Sequence, residues 1–305
     1  MLHKIISKFL SNANEDTRIR SDIESAIEEP AHTSCPADAI LIDDYSYKIR
    51  VRYGYERKPH KYIHDKFQIN DEQYTRTLKS FTAYSDFYKT IPVHAIDPAT
   101  PHWLNGWFPA LDAISLCGMI CNNRPDVYLE IGSGNSTKFA RYAIEHFNLG
   151  TRIISIDPEP RAEINALCDE IHRTALEDID TGIFERLPQK TVLFIDSSHR
   201  AFQNSDTTVY FTEILPSLPR DTVFGVHDIF LPYDYPEHWI GEKRYYNEQY
   251  LLACWLLAGG GIDTVLPNAY TYFSEISNKV LADLWSSPEM NGAETFGCIY
   301  WGKRT

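Results

Sequence analysis

Two acid–imidazole pairs stand among the residues of this chain that could do chemistry: Asp196 with His199, and His227 with Asp228. Each pair follows a short apolar, β-branched run, Thr191–Ile195 and Thr222–Val226. A histidine has an unperturbed pKa of ~6.5 and can serve as a general base near neutrality. Carboxylates grouped with it could instead hold a divalent cation, and either pair could merely cap a turn. A third group precedes them. The segment Glu130-Ile-Gly-Ser-Gly-Asn-Ser-Thr-Lys138 follows the apolar Val127-Tyr-Leu129 and leads into a helical pattern. Strand, glycine turn and helix start are how an α/β sheet holds a nucleoside-containing cofactor. Gly132 and Gly134 let the backbone turn tightly and approach a ligand with no Cβ in the way. Ser133, Asn135 and Ser136 complete that turn.

Asp157 lies at the end of the next strand pattern, where a carboxylate can accept hydrogen bonds from both ribose hydroxyls of an adenosine. Glu177 and Asp178 follow the strand after that, within reach of an adenine amino group. Acids at such places also start turns and cap helices. The choice of cofactor turns on two residues. A dinucleotide fingerprint has a third glycine where this chain has Thr137, and Glu130 suits an ammonium group better than a pyrophosphate. S-adenosylmethionine carries an ammonium and no phosphate. A serine hydrolase is excluded by the absence of a G-x-S-x-G elbow. The letters Asp196-Ser-Ser-His199 do not replace it, because sequence neighbours do not create triad geometry.

The elements that must position these residues read as strand, helix, strand from Pro125 onward. Strands are expected at Val127–Ile131, Arg152–Ile156, Ile171–Thr174, Thr191–Ile195, Thr222–Val226, Ile262–Leu266 and Phe296–Trp301. Helices are expected at Thr137–Phe147, Arg161–Cys168, Ile179–Leu187, Ser205–Leu215 and Tyr245–Leu257, with one more between the last two strands. Apolar strands separated by helices mean a mostly parallel sheet covered on both faces, here with an antiparallel edge. Upstream, residues 11–40 are polar, and Ile40–Tyr55 could form a strand or hairpin. Asn70 with Gln73 resembles a capping box before a helix that must end by Pro92, and a second helix starts at Pro109 and runs to about Cys121. The expected division is an N-terminal extension over residues 1–124 and a cofactor-binding catalytic domain over 125–305.

The 305 residues are 43% hydrophobic and 23% charged, as in an ordinary globular protein. No apolar stretch approaches the ~20 residues a membrane span needs, and Met1–Leu10 reads as a short amphipathic start, not a secretory signal. The net charge of −13 disfavours a nucleic-acid partner, with the basic Lys48–Lys61 stretch read as a solvated or structural segment. Six cysteines without C-x-x-C or zinc spacing fit a reduced, cytoplasmic setting. Cys117 and Cys121 are expected as small buried residues on one helix.

Four segments together resemble the class I S-adenosylmethionine-dependent methyltransferases: Val127–Ser136, Ile153–Asp157, Leu193–His199 and Val226–Ile229. The last two look like a bacterial subgroup with D-G-S-H and H-D-I segments after the fourth and fifth strands, and Ser197 stands here at the glycine position. The resemblance covers residues 125–302. It implies a doubly wound α/β fold with a seven-stranded sheet whose last strand is antiparallel, and a cofactor held by Glu130, the glycine turn and Asp157. It also implies that Asp196, His199, His227 and Asp228 converge near the transferred methyl. A histidine would then serve as base, with His227 favoured, or Asp196, Asp228 and His227 would hold Mg²⁺ or a related ion. The acceptor implied is a hydroxyl on a carbohydrate or other small molecule. The aromatic segment Ile229–Trp239 with Arg244–Tyr250 would form a lid that stacks on the acceptor, or equally pack as a rigid loop core, and Tyr53, Tyr55, Trp103 and Trp107 could close over the site or serve a homo-oligomer contact. A non-catalytic nucleotide-binding protein and an NAD-dependent oxidoreductase are the alternatives.

Overall fold

The computed structural model describes residues 49–160 and 163–305. Arg50–Thr305 form one compact unit. Its centre is a seven-stranded sheet: β1 Val127–Ile131, β2 Arg152–Ile156, β3 Glu170–His172, β4 Thr191–Ile195, β5 Val223–Val226, β6 Ile262–Pro267 and β7 Tyr300–Arg304. The strand order is β3-β2-β1-β4-β5-β7-β6. The first five strands run parallel, and β7 pairs antiparallel with both β5 and β6. Strands β1 and β4 are buried along their whole length, which is why they read as unbroken apolar runs rather than alternating ones. Order reverses between β1 and β4, so their carboxyl ends open the crevice in which such sheets bind ligands.

Five helices bear on that crevice and on the core beside it: α1 Lys61–Gln68, α2 Asp71–Phe81, α3 Ala110–Asn123, α4 Asn135–His146 and α5 Glu248–Ala258. Helix α3 is buried from Ala110 to Cys121, so Cys117 and Cys121 are core residues. One hydrophobic core joins Phe67, Tyr74 and Leu78 from upstream with Leu129, Phe194 and Trp301 of the sheet. The division expected at residue 125 is therefore not a packing boundary: residues 50–124 supply one wall of the sheet's own core.

Several local expectations change. Asn70 has backbone angles of −110° and 13°, outside the extended region, and makes no cap; Gln73 instead donates to the Thr264 carbonyl. The helix expected over Arg161–Cys168 is, in its described part, a 3-10 turn at Asn165–Leu167. That over Ile179–Leu187 shrinks to Gly182–Glu185, and Ser205–Leu215 becomes α-helix with a π-helical stretch at Tyr210–Ile214. The last strand starts at Tyr300 because the Cys298 and Ile299 amides are taken by the Asp112 carboxylate instead of a neighbouring strand. Residues 49–55 carry no strand, and the expectations for residues 1–48 lie outside the described residues.

Candidate active site

The turn after β1 is built for close approach. Gly132 has φ +77°, and a Cβ on it would overlap the Asp196 carbonyl oxygen after β4, so the two strand ends touch only because this residue is glycine. The Ser133 amide donates to Asp157 Oδ2 at 2.7 Å, and Asp157 Oδ1 accepts from the Glu159 amide at 2.8 Å. Asp157 thereby fixes the turn while facing a cavity of about 500 Å³. Gly132–Ser136, Asp157, Glu177 and Asp196 line that cavity, beneath Asn105 and Trp107.

Glu130 is not part of its lining, contrary to the expectation that it meets the cofactor's ammonium. Its side chain is fully buried, accepting from Tyr128 Oη at 2.7 Å and from Thr137 Oγ1. Period-two alternation puts Tyr128 and Glu130 on the same face of β1, away from the crevice. Thr137, the residue in place of the third glycine, also accepts from the Gly134 amide at 3.0 Å. Glu130 thus holds the turn from behind. Burial pushes its carboxyl up to about 7, against the hydrogen bonds from Ser136, Thr137 and Tyr128.

The structure brings Asp196, His199, His227 and Asp228 together. His199 Nε2 lies 3.3 Å from Asp196 Oδ1 and 3.5 Å from Asp228 Oδ2. His227 Nδ1 lies 3.3 Å from Asp196 Oδ1 and 3.7 Å from Asp228 Oδ2. Both rings aim one nitrogen at the same carboxylate pair. His199 and Asp228 hold this arrangement with φ of +62° and +54°, the left-handed conformation that non-glycine residues adopt sparingly and often at functional sites. Ser197 has no such angle, so its replacement of glycine leaves the turn unstrained.

Three residues of the cluster carried no signal in the motifs. Behind His227, the buried Asp112 of α3 places Oδ2 3.4 Å from Nε2. Behind His199, the buried Glu248 at the start of α5 places Oε1 3.1 Å from Nδ1. Cys298 Sγ sits 3.4 Å from Asp228 Oδ1 and 3.8 Å from His227 Nε2. A lone acid inside the otherwise apolar Ala110–Cys121 was the available hint for Asp112. Electrostatics follow from the count of four carboxylates around two imidazoles. Burial alone would lower both rings, but Glu248, Asp196 and Asp228 hold His199 well above the ordinary histidine range, and Asp196, Cys298, Asp228 and Asp112 do the same for His227. Burial would raise Asp196, yet the two imidazoles outweigh it and hold that carboxyl far below the usual range. Burial raises the Glu248 carboxyl, against the His199 imidazole that lowers it.

A second cavity, of about 690 Å³, opens over this cluster. Its walls are aromatic: Trp107, Phe230, Trp239, Tyr246, Phe273 and Phe296. Tyr246 stacks on the His199 ring with centroids 4.2 Å apart. Phe230, Tyr235 and Trp239 also form a small core with Cys298, so the lid segment is packed on one side and faces the cavity on the other. Of the upstream aromatics, Tyr55 and Trp107 reach this cavity, while Trp103 is core beside Phe139.

A family model described as a methyltransferase domain matches residues 129–229, from within β1 to just past Asp228. The match covers about a third of the chain, and the strand order with its antiparallel β7 is that of the Rossmann-like methyltransferase fold. No curated protein matches the chain. Among solved structures, an O-methyltransferase from Bacillus cereus in complex with S-adenosylhomocysteine is 13% identical, covers 75% of this chain and 91% of its own, and has a TM-score of 0.38. The plantazolicin methyltransferase BpumL, also with S-adenosylhomocysteine, is 14% identical over 80% of this chain and 90% of its own, with a TM-score of 0.38. A branched-chain polyamine synthase from Thermus thermophilus is 12% identical over 75% of this chain and 64% of its own, with a TM-score of 0.36. Likeness of this degree carries nothing about function. No helix among the described residues is long and apolar enough to cross a membrane.

Proposed function

We propose that the chain transfers the methyl group of S-adenosylmethionine to a hydroxyl of a small molecule with a flat face, a sugar or an aromatic ring. One observation carries this reading: the cavity at the glycine turn and the aromatic-walled cavity share Trp107 and Asp196 in their linings, beside the acid–imidazole cluster. The donor's adenosine lies along Gly132–Ser136, with Asp157 on the ribose and Glu177 toward the base. The acceptor stacks between Trp239, Phe296 and their neighbours, its hydroxyl turned to Asp196 and Asp228. Methyl transfer is an in-line displacement, so alignment of the two molecules supplies much of the rate. The hydroxyl proton goes to an imidazole of the cluster in its neutral form, which the surrounding carboxylates make scarce near neutrality, so turnover by this route rises with pH. His227 is the first choice, its Nε2 side held by Asp112.

A second reading adds a divalent cation. It is favoured by His227 Nδ1, a buried nitrogen that makes no hydrogen bond, and by ligand atoms of Asp196, His227 and Asp228 lying within 4.8 Å of one another. These three residues would hold the ion, whose Lewis acidity lowers the pKa of a bound hydroxyl. His199 is then the nearest remaining base. Calorimetry with S-adenosylmethionine, S-adenosylhomocysteine and NAD tests the donor; binding of NAD alone sinks the proposal. Release of S-adenosylhomocysteine with a panel of sugar and phenolic acceptors tests the reaction. We expect Asp228→Asn and His227→Gln to lower kcat by roughly 100-fold or more, the scale of general acid–base catalysis. Loss of turnover with a chelator, restored by Mg²⁺ or Mn²⁺, selects the second reading, and chelator-insensitive turnover selects the first.

A further inference from the structure

The two ring nitrogens of His227 face different ligand sets. Nδ1 looks toward Asp196 Oδ1 and Asp228 Oδ2, the oxygen set already considered for a hard cation. Nε2 looks the other way, into a group of softer chemistry. Asp112 Oδ2 lies 3.4 Å from it and Cys298 Sγ 3.8 Å from it, and those two atoms are 3.5 Å apart. The second oxygen of Asp228, Oδ1, stands 3.4 Å from the same sulfur. We propose that Asp112 Oδ2, His227 Nε2 and Cys298 Sγ form a binding site for a thiophilic divalent cation, zinc first among them. The fourth position falls to Asp228 Oδ1 or to water.

The spacing of the three atoms is that of ligands around one ion. Tetrahedral zinc bonds nitrogen and oxygen at about 2.0–2.2 Å and thiolate at about 2.3 Å, which sets its ligand atoms roughly 3.3–3.7 Å apart. The edges of this triangle, 3.4, 3.5 and 3.8 Å, meet that range with the nitrogen–sulfur edge slightly long. Protons serve the same atoms less well. A thiol has one proton, and Cys298 Sγ faces two carboxylate oxygens, so only one of them can receive it. The donor set also selects the ion, since thiolate with imidazole suits zinc and not magnesium.

The surroundings hold the ligands in place. Asp112 Oδ1 accepts from Asn268 Nδ2 at 2.7 Å and from the Ile299 amide at 2.9 Å, and the Cys298 amide is shared by both carboxylate oxygens at 2.9 Å. Outer partners of this kind orient ligating carboxylates in metal sites. All three ligand residues are buried, yet His227, Asp228 and Cys298 line the aromatic-walled cavity, which gives an ion its way in. Binding there releases the thiol proton and joins α3 to the ends of β5 and the segment entering β7. It also excludes His227 from the base role proposed above, because a ring bound through Nε2 keeps its proton on Nδ1.

The test uses the full chain, stripped with a chelator and titrated with Co²⁺, whose thiolate complexes absorb by charge transfer in the near ultraviolet. We expect one equivalent of Co²⁺ to produce that band and Zn²⁺ to remove it. Cys298→Ser should abolish the band and weaken Zn²⁺ by more than the roughly 10- to 100-fold that loss of an outer-shell partner costs. Asp196→Asn, which touches only the Nδ1 set, should keep the band; its loss there overturns the assignment to the Nε2 side. A band that survives Cys298→Ser comes from another thiol and overturns the site, as does the absence of any band in the wild type. Zinc-edge X-ray absorption on the wild type repeats the test with no substitution. One sulfur at about 2.3 Å is expected, and a shell of nitrogen and oxygen alone overturns the proposal.

Discussion

A carboxyl group sealed between Tyr128 and Thr137 gives up its proton reluctantly, and Glu130 shows what that costs the protein. Burial pushes it up to about 7 from an ordinary value of 4.5. Between those two pH values the folded chain binds more protons at this site than the unfolded chain does, so stability falls as pH rises and stays at the lower level above the folded pKa. The shift corresponds to at most about 3.4 kcal/mol, at 1.36 kcal/mol per pH unit. Glu130→Gln removes the ionisation and keeps a polar group facing Thr137. Urea midpoints at pH 5 and pH 8 should therefore fall in the wild type and change much less in the variant. A variant with the wild-type pH slope would show that the proton sits elsewhere. The residue was legible as important from its place before the glycine turn. Its role was not legible, because the sequence does not say that Thr137 turns back to meet it.

At the scale of elements, one side chain explains both a misjudged strand and a hidden part of the site. Asp112, on α3, accepts from the Cys298 and Ile299 amides and from Asn268 Nδ2. It staples the segment entering β7 to a helix 186 residues away in sequence, and so delays the ladder to Tyr300. Asp112→Ala leaves these three buried donors and one side of His227 unpaired. At ~1–3 kcal/mol for each buried unsatisfied group, we expect a loss of roughly 3–5 kcal/mol, read as a lower urea midpoint; Asp112→Asn should lose less. A loss below about 1 kcal/mol would show that water satisfies these groups. Strands β1 and β4 were legible to the residue because strands enclosed on both faces read as near-continuous apolar runs. The short helices were not, since their ends are set by contacts such as Asp180 Oδ1 with the Gly182 amide and not by periodicity.

At the scale of the molecule, the meeting of Asp196, His199, His227 and Asp228 was legible because a parallel sheet delivers successive strand ends to one crevice. Asp112, Glu248 and Cys298 were not, because they reach the same point from outside the strand–turn motifs and only packing brings them in. The same packing decides where the chain can be cut. The apolar faces of α2 and α3 form part of the sheet's own core, with Phe81 against Gly118 and Trp301 Nε1 donating to Ser115 Oγ at 2.9 Å. A chain beginning at Pro125 would expose that face of the sheet and lose Asp112 and Trp107 together. Such surfaces associate in water, because the apolar area no longer has a cover. We expect residues 125–305 to aggregate or remain unfolded, and residues 50–305 to give a single cooperative thermal transition and to bind S-adenosylmethionine. Circular dichroism and size-exclusion chromatography on the two fragments decide this. A soluble, cooperatively folded 125–305 fragment would restore residue 125 as a true domain boundary and reduce α3 to an accessory of the site.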